Sequence, residues 1–203
     1  AKGMGGGLEA RYLLSGSMGG ELNLYYFRFR EQETSGKAPS NAYVIRFNHN
    51  QPLPFGFGLV SSIDYSSSFD FLREFDNNFK RAVVSNRQSQ VYLTRAWSNL
   101  SFSARASRSE TYFSEIGNSI VQNYFPQVNL NSFKIKLFSP LYFSFSSGFL
   151  RWQYGWQTEF KTRTATTAAS FNFSPQITVP FTQIPWATLN SSLAINLNYY
   201  PQA

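Results

Sequence analysis

Leu141-Tyr142-Phe143-Ser144-Phe145-Ser146-Ser147-Gly148-Phe149 repeats with a period of two. Leu141, Phe143, Phe145 and Phe149 fall on one side with Ser147, and Tyr142, Ser144, Ser146 and Gly148 fall on the other. Successive side chains of a strand point to opposite faces, so this stretch is a strand with one apolar and one small polar face. The pattern returns in residues 55–65, where Phe55, Phe57, Leu59, Ile63 and Tyr65 oppose Gly56, Gly58, Val60, Ser62 and Asp64. It returns again in residues 100–107 and 189–199.

Weaker alternation fills the gaps. Residues 7–14 and 19–30 read as a hairpin around Ser15-Gly16-Ser17-Met18. Further strands are expected over 41–50, 89–97, 127–138 and 164–173, followed by a Pro-containing run over 174–185. The total is about ten strands, far more regular than a loop-rich chain. Several are longer than the five or six residues, roughly, of a globular strand and match the nine to eleven, roughly, that cross a bilayer at a tilt.

Composition agrees. Aromatic residues make up 18% of the 203 and charged residues only 14%, against about 25% charged in soluble domains. Ser, Thr, Asn and Gln therefore carry most of the polarity, as in strands with lipid on one side and a polar lumen on the other. No apolar run reaches the roughly 18 residues of a transmembrane helix. Any crossing must be made by a closed barrel, because open sheet edges cannot face lipid. The expected fold is thus all-β: an antiparallel transmembrane β-barrel, with residues 1–203 forming one stretch of it. The chain opens on Ala1 without a secretory signal, as a processed product or an excised piece would.

The connections are expected to alternate in length. Short ones fall at residues 15–18, 50–54, 97–99 and 139–140, and longer ones at 31–40, 66–88, 111–126 and 153–163. Short turns on the periplasmic rim and long loops outside are the usual barrel arrangement. Phe71, Leu72, Phe75 and Phe79 recur at helical spacing and predict a helical turn within the second long loop. Trp97, Trp152, Trp156 and Trp186, with Tyr25, Tyr26, Tyr199 and Tyr200, are placed near strand ends, where interfacial aromatics gather.

Net charge is +7, but the basic residues are dispersed and form no cluster of the kind that tracks nucleic acid. There is no cysteine, hence no disulfide or thiolate metal site. His49 is the single histidine and stands among Asn48, Asn50 and Gln51 with no nucleophile elbow in the chain; it reads as a polar rim residue. Glu31, Glu33, Asp70, Glu74 and Asp76 match no metal loop and are mixed with Arg73, Lys80 and Arg81, so they read as solvated, salt-bridged loops. Gly3-Met4-Gly5-Gly6-Gly7 lacks the Lys-Ser/Thr of a phosphate loop. No catalytic residue, metal ligand or cofactor is expected. The charges on strand faces, Arg28, Arg46, Arg105, Lys134 and Lys136, are candidate lumen-facing contacts for phosphate groups of a passing glycolipid, since Arg and Lys pair with phosphate oxygens. The plainer alternative is that they meet only loops and water.

Three stretches resemble the LptD family of lipopolysaccharide-assembly proteins. Residues 5–14 followed by Gly20-Glu21-Leu22-Asn23-Leu24-Tyr25-Tyr26 are similar to early barrel strands of that family. Phe71-Leu72-Arg73-Glu74-Phe75 is similar to a loop that follows a long strand, and Tyr124-Phe125-Pro126-Gln127-Val128 to a Leu-Pro-Gln stretch, with Phe125 where the family has Leu. The resemblance implies a barrel much larger than ten strands or so. It implies a lateral gate between first and last strands, both outside this stretch, and no covalent chemistry. The implied role is lipopolysaccharide transport and insertion into the outer leaflet of the outer membrane. The implied partners are lipopolysaccharide, membrane lipids, an LptE-like plug lipoprotein and the periplasmic Lpt bridge proteins, with no nucleic acid. Residue patterns alone leave three alternatives: a porin-like channel, an outer-membrane enzyme built on His49, and a soluble β-sandwich adhesin.

Overall fold

The computed structural model describes residues 3–29, 41–67, 86–113, 118–158, 161–184 and 187–201. Among these, twelve strands make one antiparallel sheet: β1 (Gly3–Ser15), β2 (Met18–Phe29), β3 (Asn41–Leu53), β4 (Phe57–Ser66), β5 (Asn86–Ala96), β6 (Leu100–Phe113), β7 (Asn118–Ser132), β8 (Ile135–Phe138), β9 (Leu141–Thr158), β10 (Lys161–Ile184), β11 (Ala187–Ala194) and β12 (Leu197–Tyr199). Strands consecutive in sequence pair, except that β7 pairs with β9 past short β8, and β12 pairs with β10 past β11. β11 and β12 lie in succession along β10. β1 stands at one end of the sheet and β11 at the other.

Tight turns hold one rim. Gly16 and Ser17 join β1 to β2. A 3-10 turn, Pro54–Gly56, joins β3 to β4, with Phe55 at φ 62° and Gly56 at φ 75°. Gly accepts that left-handed backbone freely, whereas Phe does so at a cost of order 1 kcal/mol. Trp97 N donates to Leu100 O at 2.7 Å and closes the β5–β6 turn.

Pairing in register sorts the side chains into two faces. On one lie the rows Leu8–Leu24–Ile45–Tyr65 and Leu59–Leu93–Ala104–Val128–Phe149–Phe171–Tyr199. On the other lie Glu9–Asn23–Arg46–Asp64 and Thr94–Ser103–Asn129–Gly148–Asn172–Asn198. There is scarcely a core. The buried apolar residues among those described are Phe27, Ala42, Val44 and Val121, while Leu8, Tyr26, Tyr43, Phe171, Ile177 and Leu193 stay exposed on the apolar face. A single sheet with one exposed apolar face is the form a lipid-facing barrel wall takes.

The strands run further than their apolar alternation. On β9 the apolar face carries Leu141 to Phe149, then Arg151 and Gln153, while the polar face turns to Leu150, Trp152, Tyr154 and Trp156. On β6 the apolar face passes from Ala104 and Ala106 to Arg108 and Glu110. Nine residues at about 3.3 Å each, tilted by about 40°, rise roughly 23 Å, close to the apolar band of about 25 Å on a membrane barrel. The reversal of sidedness marks where that band stops while the ladder continues.

This corrects several expected boundaries. Residues 111–126 and 153–163 are not long loops: β6 reaches Phe113, β7 begins at Asn118, β9 reaches Thr158 and β10 begins at Lys161. Apolar residues had changed sides, so the period of two was intact but its sign was not. Pro126 sits at a register shift in β7 between Tyr124 and Gln127, the place in a ladder where a residue without N–H is tolerated. The expected strand 127–138 is two, β7 and β8, and 189–199 is also two, broken at Ile195, whose N–H donates to Pro175 O at 3.1 Å. Conversely, 164–173 and the Pro-containing run form the single strand β10. Trp152 lies well inside β9 and not at an end. The helical turn expected around Phe71, the loop carboxylates Glu31, Glu33, Asp70, Glu74 and Asp76, and Trp186 lie outside the described residues.

Candidate functional site

The polar face is the feature of the sheet with chemistry. At the β1 end, Arg11 lies 2.6 Å from Glu9 and 3.7 Å from Glu21, and Asn23 donates to Glu21 Oε1 at 2.8 Å. Next, Ser62 donates to Asn48 Oδ1 at 2.9 Å, and Arg46 Nε lies 3.8 Å from Asp64. Then Arg105 donates to Gln90 Oε1 at 3.4 Å with its guanidinium 5.0 Å from the Tyr92 ring centroid, and Tyr92 donates to the same Gln90 oxygen at 3.2 Å. Beyond it, Asn129 donates to Ser103 at 3.4 Å. Asn129 and Asn172 both face Gly148 in register, and their amide oxygens fill the space that a Cβ on Gly148 would need. Neutral amides and hydroxyls thus alternate with ion pairs at the β1 end and around Asp64, and with the single charge of Arg105 beyond them.

Two of the anticipated contacts, Arg46 and Arg105, occupy this face, and Lys136 joins it through its register with Tyr142. Arg46 has Asp64 beside it. Arg105 has no carboxylate within ion-pair distance among the described residues, and its Nε is buried without a partner. Arg28 is at a position alternating with Leu24 and Tyr26, hence on the apolar face, toward the opposite rim from the tight turns. Lys134 lies in the break between β7 and β8.

A denser polar cluster stands at that far rim. The β4–β5 ladder stops at Ser62 and Gln90. Above it side chains bridge the strands: Arg87 donates to the Asp64 carboxylate, and Asp64 N donates to Ser89 Oγ at 3.1 Å. Arg108 donates to Glu110 Oε2 at 3.2 Å, and Ser119 donates to Glu110 Oε1 at 2.6 Å. Arg87 and Glu110 are both buried. Buried charges persist only when paired and hydrogen-bonded, and each of these is. Nothing in residue spacing gave this cluster away, because its members come from four strands and two of them lie where loops were expected.

His49 is fully engaged. Its Nδ1 is hydrogen-bonded to Tyr12 Oη at 2.6 Å and lies 3.2 Å from Gly19 O, and its Nε2 is 3.1 Å from Gln51 Oε1. The ring stacks on Phe47 with centroids 5.7 Å apart. None of these partners is a serine or a carboxylate, so the Ser-His-carboxylate chain of a nucleophilic enzyme is not assembled there. Among the described residues no group of three His, Cys, Asp or Glu side chains stands together as a metal-binding set.

A protein-family model described as LPS transport system D, LptD, matches residues 40–203. Two of the three resembling stretches, around Phe71 and around Pro126, fall inside the matched residues, and the stretch from Gly5 to Tyr26 precedes them. No curated protein matches the chain.

Proposed function

The chain belongs to the LptD family, outer-membrane β-barrel proteins of lipopolysaccharide transport, and from that premise we propose that its polar face lines the route by which lipopolysaccharide passes into the outer leaflet. The family handles lipopolysaccharide together with the other components of the Lpt pathway. Residues 1–203 act as one segment of a larger barrel, whose remaining strands complete the edges at β1 and β11, since unpaired edges cannot stand in lipid.

The carrying observation is the placement of Arg46, Arg105 and Lys136 on one face of the wall, Arg46 beside Asp64 and Arg105 beside Gln90. A phosphorylated glycolipid needs cationic stations that hold it briefly. Cations spaced by Asn, Ser and Gln, or tempered by a carboxylate as Arg46 is by Asp64, supply contacts of moderate strength, where a tight cluster of cations would trap the anion. Lys134 stands at the tight-turn rim, where such a molecule enters, and Arg28 meets headgroups from the lipid side at the other end. An LptE-like lipoprotein fills the rest of the lumen, and the periplasmic bridge delivers substrate to the tight-turn rim. No covalent step is required.

The test is to convert Arg46 and Arg105 together to Gln in the full-length protein. The expected result is several-fold less lipopolysaccharide at the cell surface, with heat-modifiable migration unchanged. Normal surface lipopolysaccharide with altered ion conductance would instead support the porin-like reading.

A further inference from the structure

Arg95 ends the apolar face at the tight-turn rim. It follows Leu93 by two residues and pairs in register with Phe102, so it shares the face of Leu59, Phe57 and Phe102. Its guanidinium carbon lies 4.3 Å from the Trp97 ring centroid and 5.0 Å from that of Phe57. Phe57 in turn meets Trp97 edge-on at 6.2 Å and Phe102 edge-on at 6.1 Å. The Trp97–Leu100 turn bond and the 3-10 turn before Phe57 fix both aromatic residues at the rim.

Among the described residues the cation has rings but no counter-ion. Among the described residues no carboxylate lies within ion-pair distance of Arg95. Ring contacts engage a guanidinium with its planar face, whereas its five N–H groups radiate in the plane. That fork remains available, and it matches the paired oxygens of a phosphate. On a lipid-facing wall just beyond the apolar band, a long basic side chain reaches toward the headgroup layer, where the anionic oxygens are.

We propose that Arg95, Phe57 and Trp97 form a binding site for the phosphate of a membrane-lipid headgroup in the leaflet next to the tight turns. The rings hold the guanidinium edge-on to the headgroup, and Phe57 and Phe102 lie beside the upper part of the acyl chains. This site anchors the wall at a fixed depth. It rests on the reading of this face as lipid-facing.

The experiment uses the full-length protein in detergent, titrated with phosphatidylglycerol or with a phosphate-free glucosyl diacylglycerol, and retained lipid is counted by native mass spectrometry. Wild type is expected to retain the phospholipid in preference, and Arg95→Gln to weaken that retention roughly fivefold, the scale of one charge-assisted contact at an accessible site. Trp97→Leu, which keeps the charge and removes the stacking platform, should weaken it as well, and carries the test alone if Arg95→Gln does not fold. Equal retention of both lipids, unchanged retention in the folded variants, or full displacement by inorganic phosphate would each overturn the lipid site. Loss of heat-modifiable migration by wild type in the same lipids would instead sink the membrane reading itself.

Discussion

Ser119 Oγ donates a 2.6 Å hydrogen bond to Glu110 Oε1, joining β7 to β6 through a pair of side chains that are both buried. The other oxygen of Glu110 accepts from Arg108, which remains one-third exposed. The carboxylate is thus satisfied from two directions on two strands. Removing Ser119 Oγ strips one bond from a buried charge, and Ser119→Ala is expected to cost about 1–2 kcal/mol. Glu110→Ala should cost more, about 2–3 kcal/mol, because Ser119 and Arg108 both lose their acceptor. Urea titration of the folded, heat-modifiable band measures both. A Ser119→Ala value as large as that of Glu110→Ala would show that the serine supports something other than this carboxylate.

Gly148 is expected to reject any side chain. A Cβ there would press into the Asn172 amide oxygen and lie 3.0 Å from that of Asn129. Gly148→Ala should destabilise by about 1–3 kcal/mol through overpacking. Because the obstacle is a side-chain end, Asn172→Ala in the same protein should recover most of the loss. Additive defects in the double variant would place the strain in the backbone.

Leu24 and Asn23 are adjacent in β2 and lie on opposite faces. If the face carrying Leu24 meets hydrocarbon, Leu24→Arg should lower barrel stability by about 2–4 kcal/mol, the cost of a cation near the midplane. Asn23→Arg, beside Glu21 and in register with Glu9, should be tolerated within about 0.5 kcal/mol. Folding into lipid vesicles against urea separates the two, and equal effects would refute the assignment of faces.

The sheet was legible wherever alternation and sidedness agreed. Residues 141–149 and 55–65 showed both; the first is a strand with the expected faces, and the second is one from Phe57 on, since β3 runs to Leu53 and the turn expected at 50–54 falls at Pro54–Gly56, taking Phe55 and Gly56 out of the strand. Beyond Phe149 only alternation persists. Trp152, Tyr154 and Trp156 take the side that Ser144 and Ser146 held, which hides the strand from any reading that follows one apolar face. The site was legible in part. The arginines of the polar face could be named from their strands, but which face each takes depends on register across the sheet, as the separation of Arg28 from Arg46 illustrates. The Arg95 site leaves no trace in the sequence, because its ring partners come from two turns that lie forty residues apart, roughly, and cation–π geometry has no local pattern.

A sheet in which neighbours in space are also neighbours in sequence has consequences for how it forms. From β1 to β7 every pairing joins a strand to the one just before it, and past that point the pairings skip only short β8, between β7 and β9, and β11, between β10 and β12. Even the longest connection, residues 67–85, joins strands adjacent in the chain, and loop-closure entropy rises only with the logarithm of its length. No strand has to wait for a distant partner before its backbone groups are satisfied on one side. Such a wall grows one hairpin at a time, each new strand templated by the last, so that its slowest contacts are no more distant in sequence than its longest hairpin loop.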